Sequence, residues 1–292
     1  MNSAALWWKA VRPYAYSASL VPVAIGGLEA KAAGAEFSGL RFGVALAAGV
    51  LVHTAANLWN DYFDFQSGVD RAGGGVGSGV LVAGEMSPAQ VFRGASICAA
   101  LGGAAGLWLA TQVGWGIVAL GAAGIFGALV YAAGPLSPKH RAGGEVWLFL
   151  LMGVGLTLGG HMAQTGRFSW AAVGAGVPAA LLMTLLLYAN NLRDVPSDRA
   201  AGLRTLPMLF SPAAAKALAL ALLASPYVLT GWMAATARLP AAVQLAYLSI
   251  PWAARWALRL WKGPVTEREV VGMAMLHLAF GGLFVLGLAW GH

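Results

Sequence analysis

The sequence contains few charged residues and a single cysteine in 292 residues. Asp, Glu, Lys and Arg together account for 10% of the chain, whereas 59% of it is hydrophobic and the mean hydropathy is +0.70. A soluble domain of this length cannot bury that much apolar surface, which excludes a soluble globular protein. Cys98 has no second cysteine to pair with, so an internal disulfide is excluded and we expect Cys98 to be a packing residue.

Long apolar stretches recur along the chain, each close to the roughly 20 residues that a helix needs to cross about 30 Å of hydrocarbon. The alternating pattern of a membrane barrel strand is absent, so helices are the expected spanning elements. We predict an all-α integral membrane protein whose single polytopic domain covers residues 1–292. The nine predicted spans cover residues 13–32, 41–60, 88–110, 114–133, 145–164, 170–192, 213–234, 240–260 and 271–290. Eight or ten spans are the alternatives, since Pro251 could split a span and the glycine-rich stretch 102–127 has a weak boundary.

Basic residues are distributed unequally between the two sides of the predicted membrane. With nine spans, all but four of the 18 Lys and Arg residues lie on the side of the N-terminus. The four on the other side are Lys31, Arg41, Arg167 and Arg238. The positive-inside rule therefore places the N-terminus in the cytoplasm and the C-terminus on the opposite side. The high pI reflects this topology and an attraction to anionic membrane lipid, and nothing else in the sequence supports a nucleic-acid partner.

The aspartates are confined to two short segments, each of which closes an apolar span on the predicted cytoplasmic side. The first segment runs from Asn57 to Asp70 and contains Asn60, Asp61 and Asp64. Because Asn57, Asp61 and Asp64 stand at positions i, i+4 and i+7, a helix would place one amide and two carboxylates on the same face. The pattern predicts a polar site at the cytoplasmic end of this helix.

The second segment contains Asn190, Asp194 and Asp198. Asn190 and Asp194 are four residues apart and share a helix face. Pro196 disfavours helical backbone at Val195, so we predict that the helix ends near Asp194 and that Asp198 approaches from the following turn.

Either segment alone could be a solvated helix end, since helix ends often carry Asp and Asn. Together they indicate a function, because acids at membrane depth would repel each other unless a cation lay between them. Carboxylate and amide oxygens without neighbouring Cys or His suit Mg²⁺, which binds through one or two carboxylates together with substrate phosphates. If the two acidic segments face each other, they would bind a diphosphate through bridging Mg²⁺ ions.

Basic residues near these segments could bind the phosphate oxygens that the metal ions leave free. Those we single out are Lys139 and Arg141 in the loop 134–145, and Arg71, Arg193 and Arg199 directly beside aspartates. The positive-inside bias is the alternative explanation for each of them.

These residues resemble the UbiA-type intramembrane prenyltransferases, and among them the branch that prenylates 1,4-dihydroxy-2-naphthoate in menaquinone synthesis. The resemblance covers nearly the whole chain. It is carried by Arg12-Pro13, the first aspartate segment through Asp70, the loop 134–145, the turn 164–166 and the segment 190–202. Two positions depart from the pattern. Gly68 stands where the superfamily usually has a third Asp, and Leu203 followed by Arg204 replaces a Lys that is frequent in the branch.

The resemblance implies helices around a central cavity that opens toward the cytoplasmic face of a bacterial-type cytoplasmic membrane. It also implies that Asp61, Asp64, Asp194 and Asp198 bind Mg²⁺ and make the diphosphate of a polyprenyl diphosphate a better leaving group. The implied acceptor is 1,4-dihydroxy-2-naphthoate, which loses CO₂ to give demethylmenaquinone. The residues expected to bind the substrates are Arg12 (acceptor carboxylate), Asn57, Asn60, Asp70, Arg71, Tyr131 (ring face toward the allylic cation), Lys139, Arg141, Asn190 and Arg199.

Three other functions are the alternatives to this one. A different aromatic acceptor, 4-hydroxybenzoate or homogentisate, would leave the reaction class unchanged. A CDP-alcohol phosphotransferase would require Asp-Gly soon after the first Asp and then Ala-Arg, and neither follows Asp61 or Asp64. A transporter would place its acids near the bilayer midplane, whereas these acids cluster at one face.

Overall fold

The computed structural model describes residues 2–70, 77–134 and 137–291, and in these ranges the chain is helical and forms no β-strand. The α-helices are α1 (Ser3–Val11), α2 (Ser17–Ala32), α3 (Gly39–Ser67), α4 (Pro88–Val113), α5 (Gly116–Ala132), α6 (Gly144–Leu148), α7 (Leu156–Thr165), α8 (Trp170–Ala200), α9 (Pro212–Ala235), α10 (Ile250–Lys262) and α11 (Glu267–Trp290). Short 3₁₀-helices cover Pro13–Ala15, Pro138–His140, Leu206–Leu209 and Ala241–Ser249, and a π-helical stretch, Phe149–Gly155, joins α6 to α7.

The long helices begin at hydroxyl caps that the sequence supplies. Ser38, Ser87, Ser169 and Ser211 precede α3, α4, α8 and α9, and each side chain accepts a hydrogen bond from the backbone N–H three residues later. Such caps satisfy N–H groups that have no partner inside the helix. α3 ends at Gly68, which has a φ of 74°, a left-handed conformation that glycine adopts without strain. The end of α3, and therefore the position of its last acids, is fixed by local chemistry.

Six helical stretches are long and apolar enough to cross a membrane. They are Gly39–Ser67, Pro88–Val113, Gly144–Thr165, Trp170–Ala200, Pro212–Ala235 and Glu267–Trp290. They confirm the prediction of an all-α integral membrane protein. The other predicted spans, 13–32, 114–133 and 240–260, coincide with shorter or interrupted helices: α2 has 16 residues, α5 has 17, and the third changes from a 3₁₀-helix to α10 at Ile250, beside Pro251.

The predicted end of the helix near Asp194 is wrong. α8 continues through Pro196 to Ala200. Proline removes only one backbone hydrogen bond, and the last turn is closed by Ala201 N–H donating to Ser197 O at 2.9 Å. α8 also packs against α2, α9 and α11, so tertiary contacts outweigh the local preference. As a result Asp198 lies on the same helix as Asp194.

The helices that carry the two aspartate segments are both in contact with α2. α2 in turn packs closely against α7, where glycines allow the backbones to approach. A Cβ on Gly26 would lie 1.8 Å from Thr157 O, and one on Gly160 would lie 2.1 Å from Val23 O. Small residues at such contacts are the usual means of close packing between membrane helices. α2 therefore fixes the positions of α3 and α8 relative to each other. This brings the two aspartate segments together at the same end of the helices.

Candidate active site

Asp61 is buried at the end of α3, with 2% of its surface exposed. The guanidinium of Arg12, which follows α1, forms an ion pair with one carboxylate oxygen of Asp61. Ser78 donates to the other oxygen through its hydroxyl and through its backbone N–H, the latter at 3.2 Å. A Cβ on Gly77 would overlap both Asp61 and Arg12, so the chain passes directly over this ion pair.

Asp64, 1% exposed, lies one turn further along α3. The ammonium of Lys139 pairs with its Oδ2, and Asn60 Nδ2 donates to the same oxygen at 3.0 Å. Lys139 Nζ also donates to Asn60 Oδ1 at 3.0 Å. His140 Nε2 lies 3.5 Å from Asp64 Oδ1. The loop after α5 thus supplies two basic side chains to the first aspartate segment.

The second segment is arranged in the same way, with a cation beside its first acid. Arg193 donates to both oxygens of Asp194 at 2.7 Å and also pairs with Glu267 at the start of α11. Asn191 Nδ2 donates to Glu145 Oε1 at 2.8 Å. Because α8 is helical to Ala200, Asn191, Asp194 and Asp198 stand at i, i+3 and i+7 on one face.

Both segments contribute to one cavity of about 90 Å³. Its lining residues are Val69, Asp70, Lys139, His140, Asn191, Asp194, Asp198, Leu203 and Thr205. Three carboxylates and two basic side chains therefore line one small cavity at the ends of α3 and α8. Asp61 and Asp64 lie immediately beside it, since Asp64 contacts both Lys139 and His140.

Burial raises the pKa of Asp70 to about 6, and the neighbouring charge of Asp64 acts in the same direction. Lys139 and Arg12 lower the pKa of Asp70 by smaller amounts. The charge of Asp70 therefore depends on which cations lie near it.

Several residues predicted to bind substrate lie outside the cavity lining. Asn57 is half-buried one turn before Asp61, and its Nδ2 has no hydrogen-bond partner within the described part of the chain. The Tyr131 carbonyl accepts a hydrogen bond from Ser137, and Asn190 is half-buried. Arg199 is exposed.

Arg141 is exposed and lines a second cavity that adjoins the first. Arg71 lies outside the described residues, so its predicted contact with the diphosphate stays a prediction.

Four residues in or beside the site were not predicted from the sequence. Asn191 lines the cavity, whereas its neighbour Asn190 does not. Glu145 binds Asn191, and His140 reaches Asp64, although a lone acid and a lone histidine in a loop give no signal. Ser78 contacts Asp61 across 17 residues of chain, and no spacing rule predicts such a contact.

The donor set is chemically suited to Mg²⁺. Carboxylates and side-chain amides supply the hard oxygen ligands that this ion prefers, and Asp64 Oδ1 is buried without a hydrogen bond in the part of the chain that the structure describes. Among the described residues no three His, Cys, Asp or Glu side chains converge closely enough to form a metal cluster by themselves. That arrangement fits an ion whose remaining ligands are water and substrate phosphates.

The fold and the cavity together define an intramembrane enzyme whose polar site lies where apolar helices end. Residues 19–289 match the UbiA prenyltransferase family, and the chain belongs to that family. It is therefore a membrane-bound prenyltransferase.

Relatives agree with this assignment, and solved structures share the fold. The 1,4-dihydroxy-2-naphthoate octaprenyltransferase of Bacillus subtilis (strain 168) is 26% identical over 96% of this chain and 91% of its own. UbiA prenyltransferase domain-containing protein 1 of Gallus gallus is 32% identical over 96% of this chain and 83% of its own. A UbiA homologue from Archaeoglobus fulgidus, bound to GPP and Mg²⁺, has a TM-score of 0.70 at 18% identity, covering 97% and 99% of the two chains. An apo UbiA homologue from Aeropyrum pernix K1 reaches 0.73 at 19% identity, covering 94% and 98%.

Proposed function

We propose that this enzyme transfers a polyprenyl group from polyprenyl diphosphate to 1,4-dihydroxy-2-naphthoate in a Mg²⁺-dependent reaction, giving demethylmenaquinone. The observation that carries the proposal is the cavity in which Asp70, Asp194 and Asp198 meet Lys139. Acids from two distant segments line this cavity together with Lys139, which suits a diphosphate bound through metal ions and basic side chains.

Asp61, Asp64, Asp194 and Asp198 are the proposed Mg²⁺ ligands. The ion, when bound, neutralises the diphosphate and so makes it a better leaving group. The proposal is supported by the A. fulgidus homologue, which is bound to GPP and Mg²⁺. Lys139 and Arg193, which pair with Asp64 and Asp194, are proposed to donate to phosphate oxygens of the bound diphosphate.

The proposed reaction is an electrophilic substitution on the acceptor ring. The allylic C–O bond of the donor breaks and its electron pair stays on the diphosphate. The ring carbon that bears the carboxylate forms the new C–C bond, and CO₂ leaves while its bonding pair returns to the ring. Water would quench the allylic cation, and the apolar helices around the site exclude water from it. The ring face of Tyr131, near the end of α5, is proposed to stabilise the cation.

Arg12 is the proposed ligand of the acceptor carboxylate. Its side chain is largely buried, with 15% exposed, and it reaches the first aspartate segment from the end of α1. A guanidinium offers two parallel donors to a planar carboxylate, which an ammonium does not. The name of the B. subtilis relative supports 1,4-dihydroxy-2-naphthoate as the acceptor.

The remaining binding roles and the setting of the enzyme are part of the same proposal. Asn57, Asn60, Asn190, Arg71, Arg141 and Arg199 are proposed to assist substrate binding around the cavity. Residues 1–292 are proposed to act as one domain with nine spans, with the cavity open to the cytoplasm, and to reside in a bacterial-type cytoplasmic membrane. The family match to residues 19–289 supports a single unit.

The acceptor is tested by kinetics with the purified enzyme and three candidates: 1,4-dihydroxy-2-naphthoate, 4-hydroxybenzoate and homogentisate. The first is expected to be the fastest. Arg12→Ala should raise its KM roughly tenfold to a hundredfold, the effect of losing a charged hydrogen-bond partner, and should change the KM of polyprenyl diphosphate less. Arg93→Ala, at an exposed position on α4, is the matched control. Faster prenylation of 4-hydroxybenzoate would overturn the acceptor and leave the reaction class standing.

A further inference from the structure

Helix α10 has three faces of different chemistry, and the rest of the chain covers one of them. The buried residues of α10 are Ala253, Trp256 and Leu260, which stand at i, i+3 and i+7 and so share one side of the helix. Trp256 Nε1 donates a hydrogen bond to Glu269 O on α11 at 2.8 Å. Lys216 Nζ, from α9, donates to Gly263 O at the end of α10 at 3.0 Å. α10 is therefore fixed on α9 and α11 by its buried side.

The second face of α10, which we call the basic face, consists of the exposed residues Arg255, Arg259 and Lys262. They stand at i, i+4 and i+7, so their side chains are neighbours along the helix. In the described part of the chain none of the three forms an ion pair. The nearby acids of α11 have other partners: Glu267 pairs with Arg193, and Glu269, on which the charge of Arg259 acts, accepts a hydrogen bond from Thr266 N–H at 3.0 Å. The basic face is therefore an exposed positive surface.

The third face of α10 is apolar and exposed, and it consists of Ala254, Leu258 and Trp261. Leu258 is 61% exposed and Trp261 is 74% exposed. Trp252, one turn before Arg255, is also exposed. A basic face beside an apolar face that carries Trp is typical of a helix at the membrane interface, where Trp lies at the level of the lipid headgroups. A soluble acidic partner would complement only the charges of α10, whereas a lipid would also cover the apolar face with its acyl chains.

We propose that α10 binds an anionic phospholipid, with the headgroup phosphate on the basic face and the acyl chains against Leu258 and Trp261. Side chains at i and i+4 are close enough to reach the same phosphate, and the guanidiniums of Arg255 and Arg259 match the geometry of phosphate oxygens. The positive-inside bias explains on which side of the membrane these residues lie, but it does not explain why they share one helix face. The described lining of the aspartate cavity includes no residue of α10, so the lipid site is separate from the proposed active site.

Native mass spectrometry of the purified, delipidated full chain tests the proposal. The chain is titrated with dioleoyl phosphatidylglycerol or with dioleoyl phosphatidylcholine, and the dissociation constant of the first bound lipid is measured. Several basic residues act together on the anionic headgroup, so phosphatidylglycerol should bind about tenfold or more tightly than phosphatidylcholine. Arg255→Gln and Lys262→Gln should each weaken the binding of phosphatidylglycerol about fivefold, the contribution of one basic residue near an anionic surface. Neither change should alter the binding of phosphatidylcholine.

Arg93→Gln is the matched control, because Arg93 is an exposed arginine on α4 at the same predicted side of the membrane. It should bind phosphatidylglycerol as the wild type does. Equal losses of affinity in Arg93→Gln and Arg255→Gln would show a general attraction of the cytoplasmic surface and would overturn the site on α10. Arg255→Lys keeps the charge and should retain most of the affinity. Thermal melts establish that each variant is folded.

A titration with poly-L-glutamate separates a lipid from an acidic protein as the partner of α10. If Arg255→Gln weakens the binding of poly-L-glutamate and the wild type does not prefer phosphatidylglycerol to phosphatidylcholine, the proposal is overturned in favour of an acidic protein. Unchanged affinity of Arg255→Gln and Lys262→Gln for phosphatidylglycerol would also overturn it. Because these titrations do not measure prenyl transfer, their result is independent of the assay that tests the proposed function.

Discussion

Buried carboxylates in this protein are balanced by cations that come from other parts of the chain. Arg12 reaches Asp61 from the end of α1, and Lys139 reaches Asp64 from the loop after α5. Both carboxylates are almost fully buried, and an unpaired buried charge is strongly destabilising. These ion pairs therefore fix the two loops over the end of α3, and the same carboxylates are the proposed metal ligands.

Ser78 positions Asp61 from the loop that follows the first aspartate segment. Its hydroxyl and its N–H donate to the same carboxylate oxygen, so Ser78→Ala removes one of two bonds and leaves the backbone in place. Partners that orient a metal ligand typically contribute about tenfold to a hundredfold to metal affinity. We expect the Mg²⁺ concentration for half-maximal activity to rise by about tenfold in Ser78→Ala. Ser96→Ala, at an exposed serine on α4, is the control. An unchanged Mg²⁺ requirement in Ser78→Ala would show that Ser78 does not position the ligand.

Among individual site residues, the sequence predicted those of a residue type that is rare in the chain. Aspartate occurs at only five positions, in two segments, so the sequence predicts Asp70, Asp194 and Asp198 as site residues, and all three line one cavity. Asn190 and Asn191 are neighbours on α8, and tertiary packing rather than residue spacing decides that Asn191 lines the cavity. Ser78 and Glu145 act through contacts between distant segments, which only the folded chain defines.

The contact between α2 and α7 is the closest helix packing that bears on the site, since α2 touches both helices that carry aspartates. Gly160 faces the α2 backbone, where an added Cβ would lie 2.1 Å from Val23 O, whereas its neighbour Gly159 would meet only Leu120 Cδ2 at 3.8 Å. Gly160→Ala should therefore lower the free energy of unfolding by about 1–3 kcal/mol, the usual cost of overpacking. Gly159→Ala should leave it nearly unchanged.

Unfolding of the two variants by titration with a denaturing detergent, followed by circular dichroism, measures this difference. Equal stability of Gly159→Ala and Gly160→Ala would contradict the close approach of α2 to α7.

The helices were more predictable than the contacts between distant segments, because the length of an apolar stretch is a strong signal for a membrane-spanning helix. Six predicted spans coincide with helices that are long and apolar enough to cross the membrane. The interruption at Ile250 could be anticipated from Pro251, whereas the passage of α8 through Pro196 could not, because neighbouring helices outweigh the local preference. A proline by itself therefore does not decide whether a helix ends.

The orientation of the whole molecule is a prediction that rests on the distribution of Lys and Arg. In a background with Cys98→Ala, single cysteines at the exposed positions Ser67 and Ser197 should react with an impermeant maleimide only from the cytoplasmic side. A cysteine at Thr236, which follows α9 and is also exposed, should react only from the other side. Labelling of positions 67 and 197 from opposite sides would contradict the shared cavity as well as the topology.

The central claim is that acids from both segments bind Mg²⁺ for prenyl transfer, and the most direct test is diphosphate release and product formation by Asp61→Asn and Asp194→Asn. Each change removes a proposed metal ligand, so activity at saturating Mg²⁺ should fall by more than about a hundredfold, beyond the losses seen for residues outside the ligand set. Asp194 is partly exposed, which limits the effect on folding, and Glu36→Gln at an exposed acid is the control. The account predicts inactive Asp61→Asn and Asp194→Asn proteins that melt as folded chains. Near-normal turnover by either folded variant would contradict it.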